Sequence, residues 1–193
     1  MKIGVLAMQG AFREHEKMLK DLGVEVAQIR KSSELEDIDG LIIPGGESTT
    51  IGKLILEFAL DEAILAKANK GMPIFGTCAG MILLAKNILG SDQFRLGLMD
   101  IEVNRNAFGR QVDSFETGIR IDAIGAVPFP AIFIRAPYVT DMKPNVGVLA
   151  TFDDKIVFVR QGNFLASAFH PELTGDGRVH EYFLNMVKDI KQN

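Results

Sequence analysis

Apolar and polar positions alternate in blocks whose period changes along the chain. Ile3 to Met8 is a near-continuous apolar run, the pattern of a strand buried on both faces. Gln9-Gly10-Ala11 turns the chain. Arg13 to Leu22 follows with Met18, Leu19 and Leu22 on one helical face, and Gly23 supplies a C-terminal stop. Val24 to Ile29 and Leu41 to Ile43 predict a second and third strand. Pro44-Gly45-Gly46-Glu47-Ser48 ends the third. Helices are expected from about Thr49 and over Asp61 to Lys70, and Gly71-Met72-Pro73 leads into a fourth strand. Strands alternating with helices imply a parallel sheet covered on both faces, a three-layer α/β sandwich.

After Gly90 the pattern shortens. Met99 to Asn104, Gly118 to Ile124, Ala131 to Ile134, Val146 to Thr151 and Ile156 to Arg160 read as strands separated by turn residues. Gln161-Gly162-Asn163 turns into Phe164 to Phe169. This half is strand-rich, and antiparallel pairing is expected in it. Arg178 to Ile190 closes the chain as a helix, with Val179, Phe183, Met186, Val187 and Ile190 at helical spacing. With 193 residues and no repeat or long linker, the reading is one domain over 1–193.

Composition narrows the class. The apolar share of 47% and charged share of 24% are ordinary for a globular protein. A net charge of −4 gives no electrostatic reason for nucleic acid or an anionic membrane. No run reaches the length of a membrane helix. Met1 to Gly10 is strand-length, so no secretory leader is expected. A lone cysteine forms no internal disulfide, which fits a reducing compartment.

That cysteine sits where chemistry is expected. Ile74-Phe75-Gly76-Thr77-Cys78-Ala79-Gly80-Met81 passes from a strand pattern into a helical one through small residues. Such a corner holds its central residue strained and exposed beside helix N–H groups, where the helix dipole favours the nucleophilic thiolate. The competing reading is a buried structural cysteine. His170 ends an apolar strand, and Glu172 lies two residues on, across Pro171. A carboxylate so placed orients a histidine and stabilises its protonated form. Cysteine, histidine and carboxylate form a nucleophilic triad in the order Cys78, His170, Glu172. Alone, His170 is as readily a strand cap and Glu172 a solvated carboxylate.

Gly45 to Lys53 invites a phosphate-loop reading and fails it: Glu47 stands where glycine is needed, and Leu54 follows Lys53. A glycine loop stabilising an oxyanion suits it better, with the N–H of Ala79, after the nucleophile, as second donor. An ordinary strand-to-helix turn is the plain alternative. Three glycine-bearing turns (at Gln9-Gly10, Gly45-Gly46 and the Cys78 corner) fall at strand carboxyl ends, where open α/β sheets bind ligands. Arg105 and Arg135 lie in polar insertions and suit a carboxylate, a phosphate or plain surface. His15, early in the first helix, and His180, beside the stripe of the last, read as solvated or interface residues. One cysteine and three scattered histidines lack the spacing of a zinc site.

Gly76-Thr77-Cys78-Ala79-Gly80 resembles the nucleophile elbow of class I glutamine amidotransferases. His170-Pro171-Glu172 is similar to their His-Pro-Glu dyad, and Pro44 to Ser48 to their oxyanion loop. Adding Gln9-Gly10, Gly45 to Thr50, Arg105 to Phe115 and Phe133 to Pro137, essentially the whole chain resembles the glutaminase subunits of pyridoxal 5′-phosphate synthases, with no departure at a motif position. The triad motifs specify the class, and Arg105 to Phe115 the subfamily. The resemblance implies a flavodoxin-like, mostly parallel sheet and a cytoplasmic protein without cofactor or metal.

It also implies that Cys78 attacks the side-chain amide of L-glutamine, releasing ammonia and leaving a glutamyl thioester for water. His170 would be base and acid, and Glu172 its orienter. Gly46 and Ala79 would donate to the oxyanion. Gly46, Glu47, Ser48, Arg105, Ile134 and Arg135 would contact glutamine. Ammonia would pass along a protected path to a synthase subunit in a hetero-oligomer, which builds pyridoxal 5′-phosphate from ribose 5-phosphate and glyceraldehyde 3-phosphate. Such glutaminases are generally poor until the partner docks, with Gln9 and the first helix candidates for that surface. The rivals are a glutaminase serving another synthase, a stand-alone cysteine hydrolase of related fold, and a scaffold with a spent site.

Overall fold

The computed structural model describes residues 1–105 and 114–192. Asn106 to Asp113, most of the stretch that specifies the subfamily, lie outside the described residues.

The first half follows the predicted alternation. β1 (Lys2–Leu6) leads to α1 (Phe12–Asp21), β2 (Glu25–Ile29) and β3 (Gly40–Ile43). Next come α2 (Ser48–Glu57), α3 (Asp61–Asn69), β4 (Ile74–Thr77) and α4 (Ala79–Leu84). Then follow β5 (Ala85–Ile88), β6 (Met99–Asn104), β7 (Ser114–Ile119), β8 (Phe129–Ile134) and β9 (Tyr138–Met142). β10 (Gly147–Phe152), β11 (Lys155–Gln161), β12 (Phe164–Ser167) and α5 (Arg178–Gln192) complete the chain.

The main sheet runs β2-β1-β3-β4-β12-β11-β9-β6-β5, with β10 on β11. Pairing is parallel from β2 through to β12. It turns antiparallel where β12 meets β11, and β5–β6 returns to parallel. The apolar runs explain the difference. β3 and β4 are buried at every position, as parallel strands between two helical layers must be. β6 and β8 alternate buried and half-buried residues, as strands with one face on the core do.

Three strands differ from expectation. The strand read over Gly118 to Ile124 lies at 114–119, and residues 122–124 form a 3-10 turn. Pairing with β8 stops at Ile119 opposite Phe129, so the apolar positions beyond it follow no ladder. β9 and β5 have no counterpart among the predicted strands. β9 carries Thr140 and Asp141, and β5 follows α4 with no intervening turn residue.

The β7–β8 ribbon is tied to the main sheet by phenylalanines. Phe133 stacks on Phe115 at 4.8 Å and meets Phe169 edge-on at 5.8 Å. Phe129 and Phe158 also pack on Phe169, at 5.7 and 5.6 Å. The His170 N–H donates to Ile132 O at 2.8 Å. The ribbon and the start of the His170 turn are therefore held as one unit.

Candidate active site

β4 ends at Thr77, and the chain turns into α4 through Cys78 at φ 50° and ψ −102°. A left-handed conformation costs a non-glycine residue about 1–3 kcal/mol and persists only where surroundings enforce it. Here the Cys78 N–H donates to Ser167 O at 2.7 Å. The glycines on either side allow close approach: a Cβ at Gly76 would collide with the Gly80 backbone and one at Gly80 with Ile43 O, while in the loop after β3 a Cβ at Gly45 would meet the His170 ring. The sequence folds this way because β4 and α4 are buried throughout, which leaves the corner as the one place to absorb the reversal.

His170 Nδ1 lies 2.7 Å from Glu172 Oε1, and both side chains are buried. With Nδ1 engaged, Nε2 is the nitrogen left for the thiol. Burial works against a charged His170, but hydrogen bonds to Cys78 and Glu172 outweigh it and push its pKa from 6.5 up to about 10. Burial likewise opposes ionisation of Glu172, and the nearby His15 and His170 hold it below the usual glutamate value.

Above the thiol opens a cleft of ≈ 470 Å³. Gly46, Glu47, Ser48, Cys78, Ala79, Arg105, Ile134, Arg135 and His170 all line it, with Gln9 and Ile82. Glu172 lies behind His170, outside the lining. Cys78 Sγ sits 3.8 Å from Ile134 O, and Arg135 adopts φ 42° at the end of β8. Ala79 is the first residue of α4, so its N–H has no intrahelical acceptor.

The sequence reading missed several features. The Glu47 carboxylate caps α2, accepting from the N–H groups of Thr49 and Thr50 and from both hydroxyls, which lowers its pKa to about 2. Its backbone N–H donates to Gln9 Oε1 at 2.8 Å. Gln9 thus ties the β1–α1 turn to the glycine loop. Gln93 accepts from Arg105 Nη1 at 2.5 Å and donates to Ser48 Oγ at 3.1 Å, bridging two lining residues. No periodicity marks Gln93.

His15 and His180 are not solvated: both are fully buried. The signal was present. His15 stands three, four and seven residues before Met18, Leu19 and Leu22, and His180 stands likewise before Phe183, Leu184 and Val187. Among the described residues, no group of three His, Cys, Asp or Glu side chains is arranged to hold a metal ion.

An α/β sheet with a cysteine elbow beneath a cleft defines a class, the α/β enzymes that act through a cysteine nucleophile. A profile of the SNO glutamine amidotransferase family matches residues 5–189, and the chain belongs to that family. It is 64% identical to the pyridoxal 5′-phosphate synthase subunit PdxT of Moorella thermoacetica, over 97% of this chain and all of that one. It is 61% identical to the PdxT subunit of Pelotomaculum thermopropionicum, over 100% of this chain and 98% of the other. A solved glutamine amidotransferase superposes with a TM-score of 0.92 at 50% identity, covering 96% of this chain and 98% of that one. PurLQS from Thermotoga maritima, at 17% identity and a TM-score of 0.67 over 95% of this chain and 97% of that one, shares the fold alone.

Proposed function

We propose that this chain is the glutaminase subunit of a pyridoxal 5′-phosphate synthase, acting as one domain over 1–193. It hydrolyses L-glutamine to L-glutamate and ammonia. The observation that carries the reading is Cys78 in a strained elbow lining the same cleft as His170, which is hydrogen-bonded to Glu172.

Cys78 attacks the amide carbon of the glutamine side chain, and the carbonyl oxygen becomes an oxyanion facing the Gly46 and Ala79 N–H groups. His170 passes a proton to the leaving nitrogen, and ammonia departs. Water, deprotonated by His170, then attacks the glutamyl thioester and frees glutamate. Glu172 keeps His170 in one tautomer and stabilises its charge. Ser48, Arg105, Ile134 and Arg135 hold the amino-acid end of glutamine, an arginine being suited to its carboxylate. Glu47 contacts glutamine as part of the cleft wall, its carboxylate capping α2 and its backbone N–H held by Gln9.

Ammonia passes to a synthase subunit in a hetero-oligomer, which makes pyridoxal 5′-phosphate from ribose 5-phosphate and glyceraldehyde 3-phosphate. The names of the relatives support that partner. Gln9, bonded to the glycine loop, and α1 form part of the surface on which that subunit docks. Among the described residues no helix is long and apolar enough to cross a membrane; the cytoplasm is the compartment proposed, on the resemblance and on the lone cysteine that forms no internal disulfide.

The test is glutamate release from L-glutamine with and without the synthase subunit. A large rise with the subunit, absent in Cys78→Ala that still binds it, is the expected result. Equal activity without the subunit would indicate a self-sufficient hydrolase instead.

A further inference from the structure

Behind the triad lies a buried polar chain that the mechanism above leaves unused. His15 of α1 puts Nε2 3.1 Å from Thr77 Oγ1 and 3.4 Å from Glu172 Oε2. Its Nδ1 lies 2.9 Å from His180 Nε2 of α5. Thr77 Oγ1 also accepts the Gly45 N–H at 3.0 Å, immediately before the proposed oxyanion residue Gly46. One imidazole thus touches the supports of both halves of the site.

The tautomers follow from which atoms lack partners. His180 Nδ1 is buried without a hydrogen-bond partner. Glu172 Oε2, which when ionised can only accept, faces His15 Nε2, so that nitrogen carries the His15 proton and Nδ1 is left to accept. His180 therefore carries its proton on Nε2 and donates to His15 Nδ1. His15 in turn carries its proton on Nε2, facing Glu172 and Thr77. The opposite arrangement would point a lone pair at a buried carboxylate and strand a donor on His180. Among the described residues Glu172 Oε2 completes no hydrogen bond, and His15 Nε2 lies 3.4 Å from it. The His15 N–H is thus the donor that Oε2 faces, shared with Thr77.

Resting on the triad reading, we infer that His15 is a positioning residue: its Nε2–H stabilises ionised Glu172 and fixes Thr77 beneath the oxyanion loop, with His180 setting its tautomer. Burial holds both His15 and His180 below the ordinary histidine pKa, so both enter this chain neutral. The groups facing the pair are Glu172 and His170 from the turn after β12, and Glu14 from α1. Cys78, at the elbow, faces His170. With His15 neutral, the negative charge of Glu172 is balanced by His170 on one oxygen and by the His15 dipole on the other.

The experiment compares glutamine hydrolysis across pH by the wild type, His15→Leu, His15→Gln and His170→Asn, each with the synthase subunit present. Leucine fills the space without a donor, and glutamine restores an N–H. The expected His15→Leu result is a kcat loss of about 10- to 100-fold with KM little changed. The acid limb of its profile moves to higher pH by roughly one unit, because the carboxylate behind His170 is less well stabilised. His15→Gln moves the limb back toward the wild type. Equal loss at every pH, or no rescue by glutamine, overturns the inference and leaves His15 a packing residue. A folded His15→Leu with wild-type kcat overturns it too. An active His170→Asn would overturn the triad reading itself, whereas an inactive one beside an unmoved His15→Leu profile refutes only the inference. Cooperative thermal unfolding of each variant separates loss of fold from loss of positioning.

Discussion

The Glu172–His15 contact is flanked by two histidines that burial alone would make alike. His170, on the cleft side, and His180, on the far side, are both nearly excluded from water. Yet the pKa of His170 is pushed up to about 10, and that of His180 down to about 3. Desolvation opposes charge on both. His170 overcomes it through hydrogen bonds to Cys78 and Glu172. Among the described residues the hydrogen-bond partner of His180 is another imidazole, and the charge of Glu172 does not make up the difference. Partners, not depth, decide which buried histidine holds a proton. The cleft side is thereby built for charge and the far side for fixed neutral dipoles.

Replacing Glu172 by Gln attacks that contrast most strongly. It removes the charge between the two histidines while keeping the shape. Glutamine turnover is expected to fall by about 10²- to 10⁴-fold, the range that general acid–base assistance supplies. The His170 resonance, followed by NMR, titrates at lower pH than in the wild type. An unchanged titration would mean that Glu172 does not set the charge of His170.

A smaller effect is expected at His180. Folded His180 resists protonation until about pH 3, whereas the unfolded residue takes a proton near 6.5. The unfolded state therefore binds the extra proton, and His180 destabilises the fold as pH falls from 6.5 toward 3. His170 acts at the other end. The folded state keeps its proton to about pH 10, so its contribution is complete below 6.5 and fades as pH rises through 10. His180→Leu is expected to cost about 1 kcal/mol at neutral pH, by leaving His15 Nδ1 unpaired. It also flattens the acid side of the stability profile, as denaturant unfolding at several pH values will show. A profile as steep as the wild type would assign the acid loss to other groups.

The smallest effect belongs to an exposed charge pair that shares α1 with His15. Lys17 Nζ and Asp21 Oδ2 lie 2.6 Å apart in solvent. Lys17→Ala is expected to change stability by no more than about 0.5 kcal/mol, as exposed i,i+4 pairs do. A larger change in thermal unfolding would show that α1 is coupled to the site along its outer face as well.

Much of the site was readable because it is local. The elbow at Gly76 to Gly80 and the turn at His170-Pro171-Glu172 each bring chemistry together within five residues. Helix and strand periods placed β1 to β4 and α5 with few errors, because those elements are buried enough to show their pattern. The strand set at Gly118 to Ile124 was misplaced because Ile121 and Ile124 continue the apolar pattern after pairing with β8 has ended. His15 and His180 carried core spacing, but a histidine at a core position does not announce what it bonds to.

The sequence by itself determined the alternation of β1 to β4 with their helices, the elbow at Cys78 and the adjacency of His170 to Glu172, since each is written in neighbouring residues. Only the tertiary structure decided that Thr77, His15 and His180, contributed by β4, α1 and α5, form one hydrogen-bonded chain behind Glu172. It also decided that Gln9 holds the Glu47 N–H, and that Gln93 links Ser48 to Arg105. The physical reason is range. Periodicity reports which face of an element is buried, whereas a hydrogen bond across 165 positions of sequence exists only once the helices have packed on the sheet.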